Sequence, residues 1–240
     1  FKLLSAGYRV PVQNLVGDEG FFRYQQVYPF IGLITTWTSF GFAVALSKIL
    51  SDYKALGKEY AIPRIKKITF YYIGFISILF FILLFMGAGF LAEAMGDANL
   101  AQLLKAGSFV ILLMPMLAVL KGDFQSDGRM QPVAYAQVLE QAVRVFVILF
   151  GTWIIVSTSF DLYKAGSMAM YGAVAGELAG VVLLSFIYWK SMKHTKTEKA
   201  QQNVPVWPII KNLTLLSLSA SISALLFLLF QLVDSFTVFQ

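Results

Sequence analysis

AQVLEQAVRVFVILFGTWIIV, Ala136 to Val156, is apolar enough to cross a membrane, yet it carries a carboxylate, Glu140, and a guanidinium, Arg144. Gln137, Glu140, Gln141 and Arg144 are spaced i, i+3, i+4 and i+7, so they fall on one face of a helix. Val143, Phe146, Val147 and Leu149 fill the other faces. A charge in the middle of a membrane helix costs about 2.5–3.5 kcal/mol on insertion scales, so it faces a partner helix or a hydrated cavity. Two arrangements meet that condition. The acid-first i,i+4 order lets Glu140 and Arg144 satisfy each other, tying the helix to its bundle. Alternatively, the stripe lines a hydrated cavity and Arg144 offers its charge to an anionic substrate.

The rest of the chain is built like this stretch. Of its 240 residues, 58% are hydrophobic and 13% charged, against about 25% charged in a soluble domain. No water-soluble core absorbs that much apolar surface, so the bilayer is the solvent. Cysteine is absent, which excludes a disulfide framework, a thiolate metal site and a catalytic thiol. Apolar segments at Tyr24–Ser47, Ile68–Ala92, Ala101–Leu120, Val133–Ser157, Gly166–Trp189 and Leu213–Phe236 each have the length of a transmembrane helix. A first helix, Phe1 to Val16, spans only roughly 24 Å and reads as truncated, and the chain as a piece of a longer protein. The total is roughly seven spans by the hydropathy criterion. The expected fold is therefore an all-α polytopic membrane protein, because a barrel would show short alternating segments.

Lysine and arginine set the orientation. One side carries Lys48, Lys54, Lys58, Arg64, Lys66, Lys67, Lys121, Arg129, Lys190, Lys193, Lys196, Lys199 and Lys211. The other has Arg23, Lys105 and Lys164 among several acids. The basic side is expected to be cytoplasmic, which accounts for the net charge of +6 without a nucleic-acid partner. Pro11, Pro29 and Pro115 are expected to kink their helices. Gly172, Gly176 and Gly180, four residues apart, mark a face for close helix contact rather than a binding site.

Three more charges fall within apolar segments. Arg9 has no acid within a helical turn and needs a cavity, an anion or a distant partner such as Glu177. Glu177 sits among the glycines and reads as a packing carboxylate. Asp234 ends a polar stripe of Ser217, Ser221, Gln231 and Ser235 and resembles half of a cation or proton site. There is no His cluster, Gly-rich phosphate loop or carboxylate pair on one face, so no catalytic residue, metal site or cofactor is assigned. Asp123 and Asp127 in KGDFQSDGRMQP read as part of a turn between two helices.

YRVPVQNLVGDEGFFRYQQVYPF (Tyr8–Phe30), GFAVALSKIL (Gly41–Leu50), LKGDFQSDGRMQPVAYAQVLEQAVRV (Leu120–Val145) and QLVDSFTV (Gln231–Val238) resemble the polysaccharide-exporter branch of the multidrug/oligosaccharidyl-lipid/polysaccharide flippase superfamily. The likeness points to its SpoVB/MurJ-like group in Gram-positive bacteria. It implies a two-lobed bundle around a central cavity that opens alternately to each side. Residues 1–190 would form the first lobe, 191–210 a cytoplasmic basic linker, and 211–240 the first helix of the second lobe. It further implies a multi-pass protein of the cell membrane that translocates undecaprenyl-pyrophosphate-linked saccharides, lipid II or polysaccharide precursors. Arg9 falls near a cavity arginine of such flippases, and Asp234 matches an acid that serves sodium or proton coupling in some relatives. Two departures stand: the second helix has no interior arginine, only Lys48 at its end, and further cation ligands would lie outside this chain. On this reading the substrate-binding residues are Arg9, Gln137, Glu140, Gln141 and Arg144, and the partners are the lipid-linked oligosaccharide and membrane lipids. The rival readings are a cation-coupled multidrug antiporter of the same superfamily, a membrane-embedded glycosyl-transferring enzyme and a non-transporting scaffold of cell-wall assembly.

Overall fold

The structure, a computed structural model, describes residues 25–158, 162–192 and 205–237. It is helical throughout, with no strand among the described residues. Helix α1 runs over Gln25–Ala55 and contains one wide π-helical turn, Thr36–Gly41. A short 3-10 turn, Glu59–Ala61, leads into α2, Ile62–Ala94. The next span is two helices, α3 (Leu100–Ile111) and α4 (Met114–Ser126). Then come α5 (Met130–Thr158), α6 (Leu162–Met192) and α7 (Val206–Thr237). Among the described residues, five stretches are long and apolar enough to span a bilayer: Gln25–Ala55, Glu59–Ala94, Leu100–Ser126, Met130–Ile155 and Gly166–Ser191. Within α7 the shorter stretch Val206–Ile222 is apolar. The sequence-derived first helix, with Arg9 and Pro11, lies outside the described residues.

Helix ends follow from local chemistry. Gly57, Gly96 and Gly128 have φ of 68°, 82° and 70°. Each stands just past a helix with the same pair of bonds: Lys58 N to Tyr53 O and Gly57 N to Lys54 O, both 2.9 Å, repeated at Asp97/Gly96 and Arg129/Gly128. This is the glycine C-cap, in which a left-handed residue lets two amides reach back to orphan carbonyls. Pro63 and Pro115 occupy the first turns of α2 and α4, where a missing N–H costs nothing. The kink expected at Pro115 takes the form of a full break between α3 and α4. Amides of Leu112 and Leu113 bond three residues back, to Phe109 and Val110, before α4 restarts. At Pro29, by contrast, α1 continues.

The buried residues form three clusters. Val27, Ile31, Leu84, Leu103, Leu104 and Met170 join α1, α2, α3 and α6. Phe42, Leu46, Leu50, Ile73, Ala118 and Leu213 join α1, α2, α4 and α7. Met114, Leu117, Phe124, Ala136 and Leu184 join α4, α5 and α6. Helix α1 contributes to two of the three, as do α2, α4 and α6. Helix α2 also turns Tyr71, Phe75, Ile78, Leu83, Met86 and Phe90 outwards, a face suited to lipid tails.

The turns at Leu56–Lys58 and Asp127–Arg129 lie at the lysine-rich end of the bundle, and the Gly96 turn at the other. In the full-length protein stripped of native cysteines, Lys58→Cys and Arg129→Cys are expected to resist an impermeant thiol reagent added to intact cells. Ala98→Cys is expected to react. Labelling at Lys58 would reverse the orientation.

Candidate functional site

The intramembrane charges are paired across helices, not along them. Lys121 Nζ on α4 lies 3.0 Å from Glu140 Oε1 and donates to Oε2 at 3.2 Å. Arg144 Nη2 on α5 donates to Glu177 Oε1 on α6 at 3.0 Å. The expected Glu140–Arg144 pair within α5 is therefore replaced by two interhelical pairs. The physical reason is the small-residue face of α6. A Cβ placed on Gly176 would overlap the backbone carbonyl of Glu140, and one on Gly180 would stand 2.5 Å from Glu140 Cγ. Bare glycines let α5 and α6 approach until the Glu140 carboxylate rests over Gly180. Glu177, between those glycines, is then level with Arg144. The glycines serve packing, as expected. Glu177 is the partner of Arg144; Arg9, for which it was one candidate partner, lies outside the described residues.

Lys121 differs from its expected place among the basic loops, because α4 continues to Ser126. Lys121 lies inside the helix and is only 8% exposed, against 7% for Glu140. The signal that locates it is the Asp127-Gly128 turn, which marks the helix end five residues later. Nearer that end, Lys66 donates to both carboxylate oxygens of Asp123 at 3.1 Å and to the Tyr188 hydroxyl at 3.1 Å. Lys54 bonds Asp127 and Ser126. The two aspartates are thus lysine partners at a helix end, and no group of three or more metal-ligating residues occurs among the described residues.

Of the predicted stripe on α5, Glu140 and Gln141 are buried, Arg144 is partly buried and Gln137 is exposed. Asp234 lies in α7, with its side chain outside the described residues. Ser217 and Ser221 of the same stripe are fully buried against α1. There the Trp37 indole donates to Ser217 Oγ at 3.1 Å, and a Cβ on Gly41 would stand 2.7 Å from the Ser217 carbonyl.

A second polar surface was not anticipated. The open face of α1 carries Tyr28, Thr36, Ser39, Ser47, Lys48 and Ser51, with Phe40 among them. An uninterrupted α-helix would rotate these residues out of line. The wide turn at Thr36–Gly41 advances each residue by a smaller angle and keeps them on one face. Thr38 helps hold it, donating from Oγ1 to the Ile34 carbonyl at 2.6 Å. The open face of α1 thus carries hydroxyls at several levels, whereas that of α2 is apolar.

Known proteins match this sequence. A family model described as polysaccharide biosynthesis protein matches residues 1–240. The chain is 39% identical over 239 residues to the uncharacterized membrane protein YabM of Bacillus subtilis (strain 168), covering 99% of this chain and 44% of that protein. It is 33% identical to stage V sporulation protein B of the same organism, over 82% of this chain and 38% of that one. It is 28% identical to the lipid II flippase MurJ of that organism, over 80% of this chain and 37% of the other. The chain thus spans less than half the length of these relatives. No solved structure shows significant similarity. With a family match over its whole length, on a bundle of membrane-length helices, the chain belongs to the polysaccharide biosynthesis protein family, in the polysaccharide-exporter branch of the flippase superfamily.

Proposed function

We propose that the full-length protein is a flippase that carries undecaprenyl-pyrophosphate-linked saccharides, lipid II or polysaccharide precursors, across the cytoplasmic membrane by alternating access. The observation that carries this reading is the set of hydroxyls on the open face of α1, which would line the substrate path. Hydroxyls spaced along this helix suit a saccharide headgroup, whose own hydroxyls exchange hydrogen bonds with Ser39, Ser47 and Ser51 in place of water. The name of one relative, a lipid II flippase, supports the substrate class. No covalent chemistry is required, so the protein is not assigned as an enzyme.

In this reading Arg9 holds the pyrophosphate, because a guanidinium meets phosphate oxygens through two parallel hydrogen bonds. Gln137, the exposed member of the α5 stripe, faces the path. Glu140, Gln141 and Arg144 serve the interior of the lobe, their charges spent on Lys121 and Glu177. Asp234 supplies a carboxylate for a coupling ion, and α7 begins the second lobe.

The test is transport of a fluorescent lipid-linked saccharide by the purified full-length protein in proteoliposomes. Arg9→Lys is expected to lower the rate and Arg9→Ala to lower it further, both at normal expression. Substituting Ser47 by leucine is expected to slow transport as well, by placing an apolar side chain on the path. Wild-type rates in Arg9→Ala would remove the headgroup role from this arginine. No transport by wild-type protein would remove the flippase reading.

A further inference from the structure

Ionisable groups climb from one end of the lobe to its middle. Asp127 and Asp123 lie at the end of α4 and pair with Lys54 and Lys66. Lys121 follows further along the same helix and pairs with Glu140. Glu140 leads, one turn along α5, to Arg144 and its partner Glu177. Side-chain exposure falls along the first three pairs: 24% and 43% for Lys54 and Asp127, 19% and 14% for Lys66 and Asp123, 10% each for Lys121 and Glu140. Arg144 and Glu177 are 24% and 14% exposed, so burial is deepest at Lys121 and Glu140.

The inner end of the ladder is incompletely bonded. Glu177 Oε2 and Arg144 Nε are buried, and neither has a hydrogen-bond partner. Static buried ion pairs persist when their remaining lone pairs and protons are satisfied. Here the Glu177 carboxylate keeps an oxygen without a donor, in a medium where that is costly, and both oxygens of buried Glu140 depend on the single ammonium of Lys121, at 3.0 and 3.2 Å. Three neighbouring charges act on Glu140: Glu177 from α6, Lys121 from α4 and Arg144 from its own helix.

We propose that Glu140 and Glu177 form a proton-binding site inside the lobe, loaded from the water at the end of α4, and that a proton there competes with Lys121. The charge balance shows why Lys121 is the competitor. Lys121, Arg144, Glu140 and Glu177 sum to zero, so an added proton leaves one surplus positive charge. Arg144 lies 14 residues from either end of α5 and cannot carry that charge out. Lys121 is five residues from Ser126, roughly 7.5 Å of helix, and its four-carbon stem can lift the ammonium to water. Protonation of Glu140 thus releases the ion pair that ties α5 to α4, while the glycine contact to α6 holds. The inference concerns proton binding alone and goes beyond the saccharide reading.

The experiment uses the full-length protein in lipid vesicles without substrate, with the proton as the probe. Infrared difference spectra between mildly acidic and mildly basic pH report the carbonyl stretch of a carboxylic acid shielded from water. The wild type is expected to show such a signal, and Glu140→Gln to lose it. Lys121→Met, which removes the competing cation, is expected to move its midpoint to higher pH by about one to three units. If Glu140→Gln proves unstable, the charge-neutral double variant Lys121→Met, Glu140→Gln is expected to lack the signal equally. A wild type with no titrating buried carboxyl overturns the proposal. So does a signal that survives in both Glu140→Gln and Glu177→Gln, or a midpoint unmoved by Lys121→Met. None of these outcomes depends on whether the protein moves saccharide lipids.

Discussion

Glu177→Gln combined with Glu140→Gln is expected to cost far more stability than the two substitutions measured singly. Each single change leaves a way out. Without Glu140, Lys121 sits near enough to the end of α4 to raise its ammonium towards water. Without Glu177, Arg144 can turn to Glu140, one turn away in the favourable acid-first order, and Lys121 again takes the loss. Each single variant should therefore cost about 1 kcal/mol, the scale of an exchanged rather than a lost pair. The double variant removes both exits. Glu140 and Glu177 are the only acids in α5 and α6, so Arg144 is left without a partner at the midpoint of its helix. Stranding a buried charge costs roughly 3–5 kcal/mol. Thermal unfolding and folded yield of the purified full-length variants check this. Adding Arg144→Leu to the double variant should recover most of the loss, since an apolar side chain suits that site. Additive costs, with no recovery on adding Arg144→Leu, would mean the two pairs do not exchange partners.

That coupling was only half legible in the sequence. The spans were readable because about twenty apolar residues have few other fates, and the turn at Asp127-Gly128 because KGDFQSDGRMQP is polar and glycine-interrupted between two apolar runs. The stripe on α5 was readable from spacing, and so was the contact face Gly172, Gly176 and Gly180. What spacing cannot supply is the partner. The i,i+4 rule sees only the helix that carries both charges, whereas the glycines brought Glu177 across from α6. Lys121 was lost by drawing the helix end at a lysine rather than at the Asp127-Gly128 turn. The wide turn in α1 was invisible for another reason. Threonine and serine side chains such as Thr38 bond backbone carbonyls in many helices, so TWTSFG carries no distinctive mark, and the α1 stripe it aligns stayed hidden.

The glycines yield the second large effect. Gly176→Ala is expected to destabilise the full-length protein by about 1–3 kcal/mol, the cost of overpacking a tight contact, and Gly176→Leu to prevent α5 and α6 from docking. A Cβ at position 176 meets the Glu140 backbone carbonyl, with Arg144 Cβ at 3.1 Å and Glu140 C at 3.3 Å. Backbone cannot swing aside, so the helices must separate and the Arg144–Glu177 bond stretches with them. Gly180→Ala differs in kind. Its Cβ meets the Glu140 side chain, with Cδ at 2.7 Å, which can turn away but only by leaving Lys121. It should cost less stability than Gly176→Ala, and Lys121→Met should reduce that cost further. The control lies on α2, where a Cβ on Gly87 or Gly89 meets nothing within 4 Å. Alanine there should be neutral or stabilising by up to about 1 kcal/mol, since glycine is the poorer helix former. Melting temperatures of the four alanine variants should thus fall in the order Gly87 and Gly89 highest, then Gly180, then Gly176. If Gly176→Ala melts with the α2 controls, the glycine face does not set the approach of α5 to α6, and the pairing of Arg144 with Glu177 needs another cause.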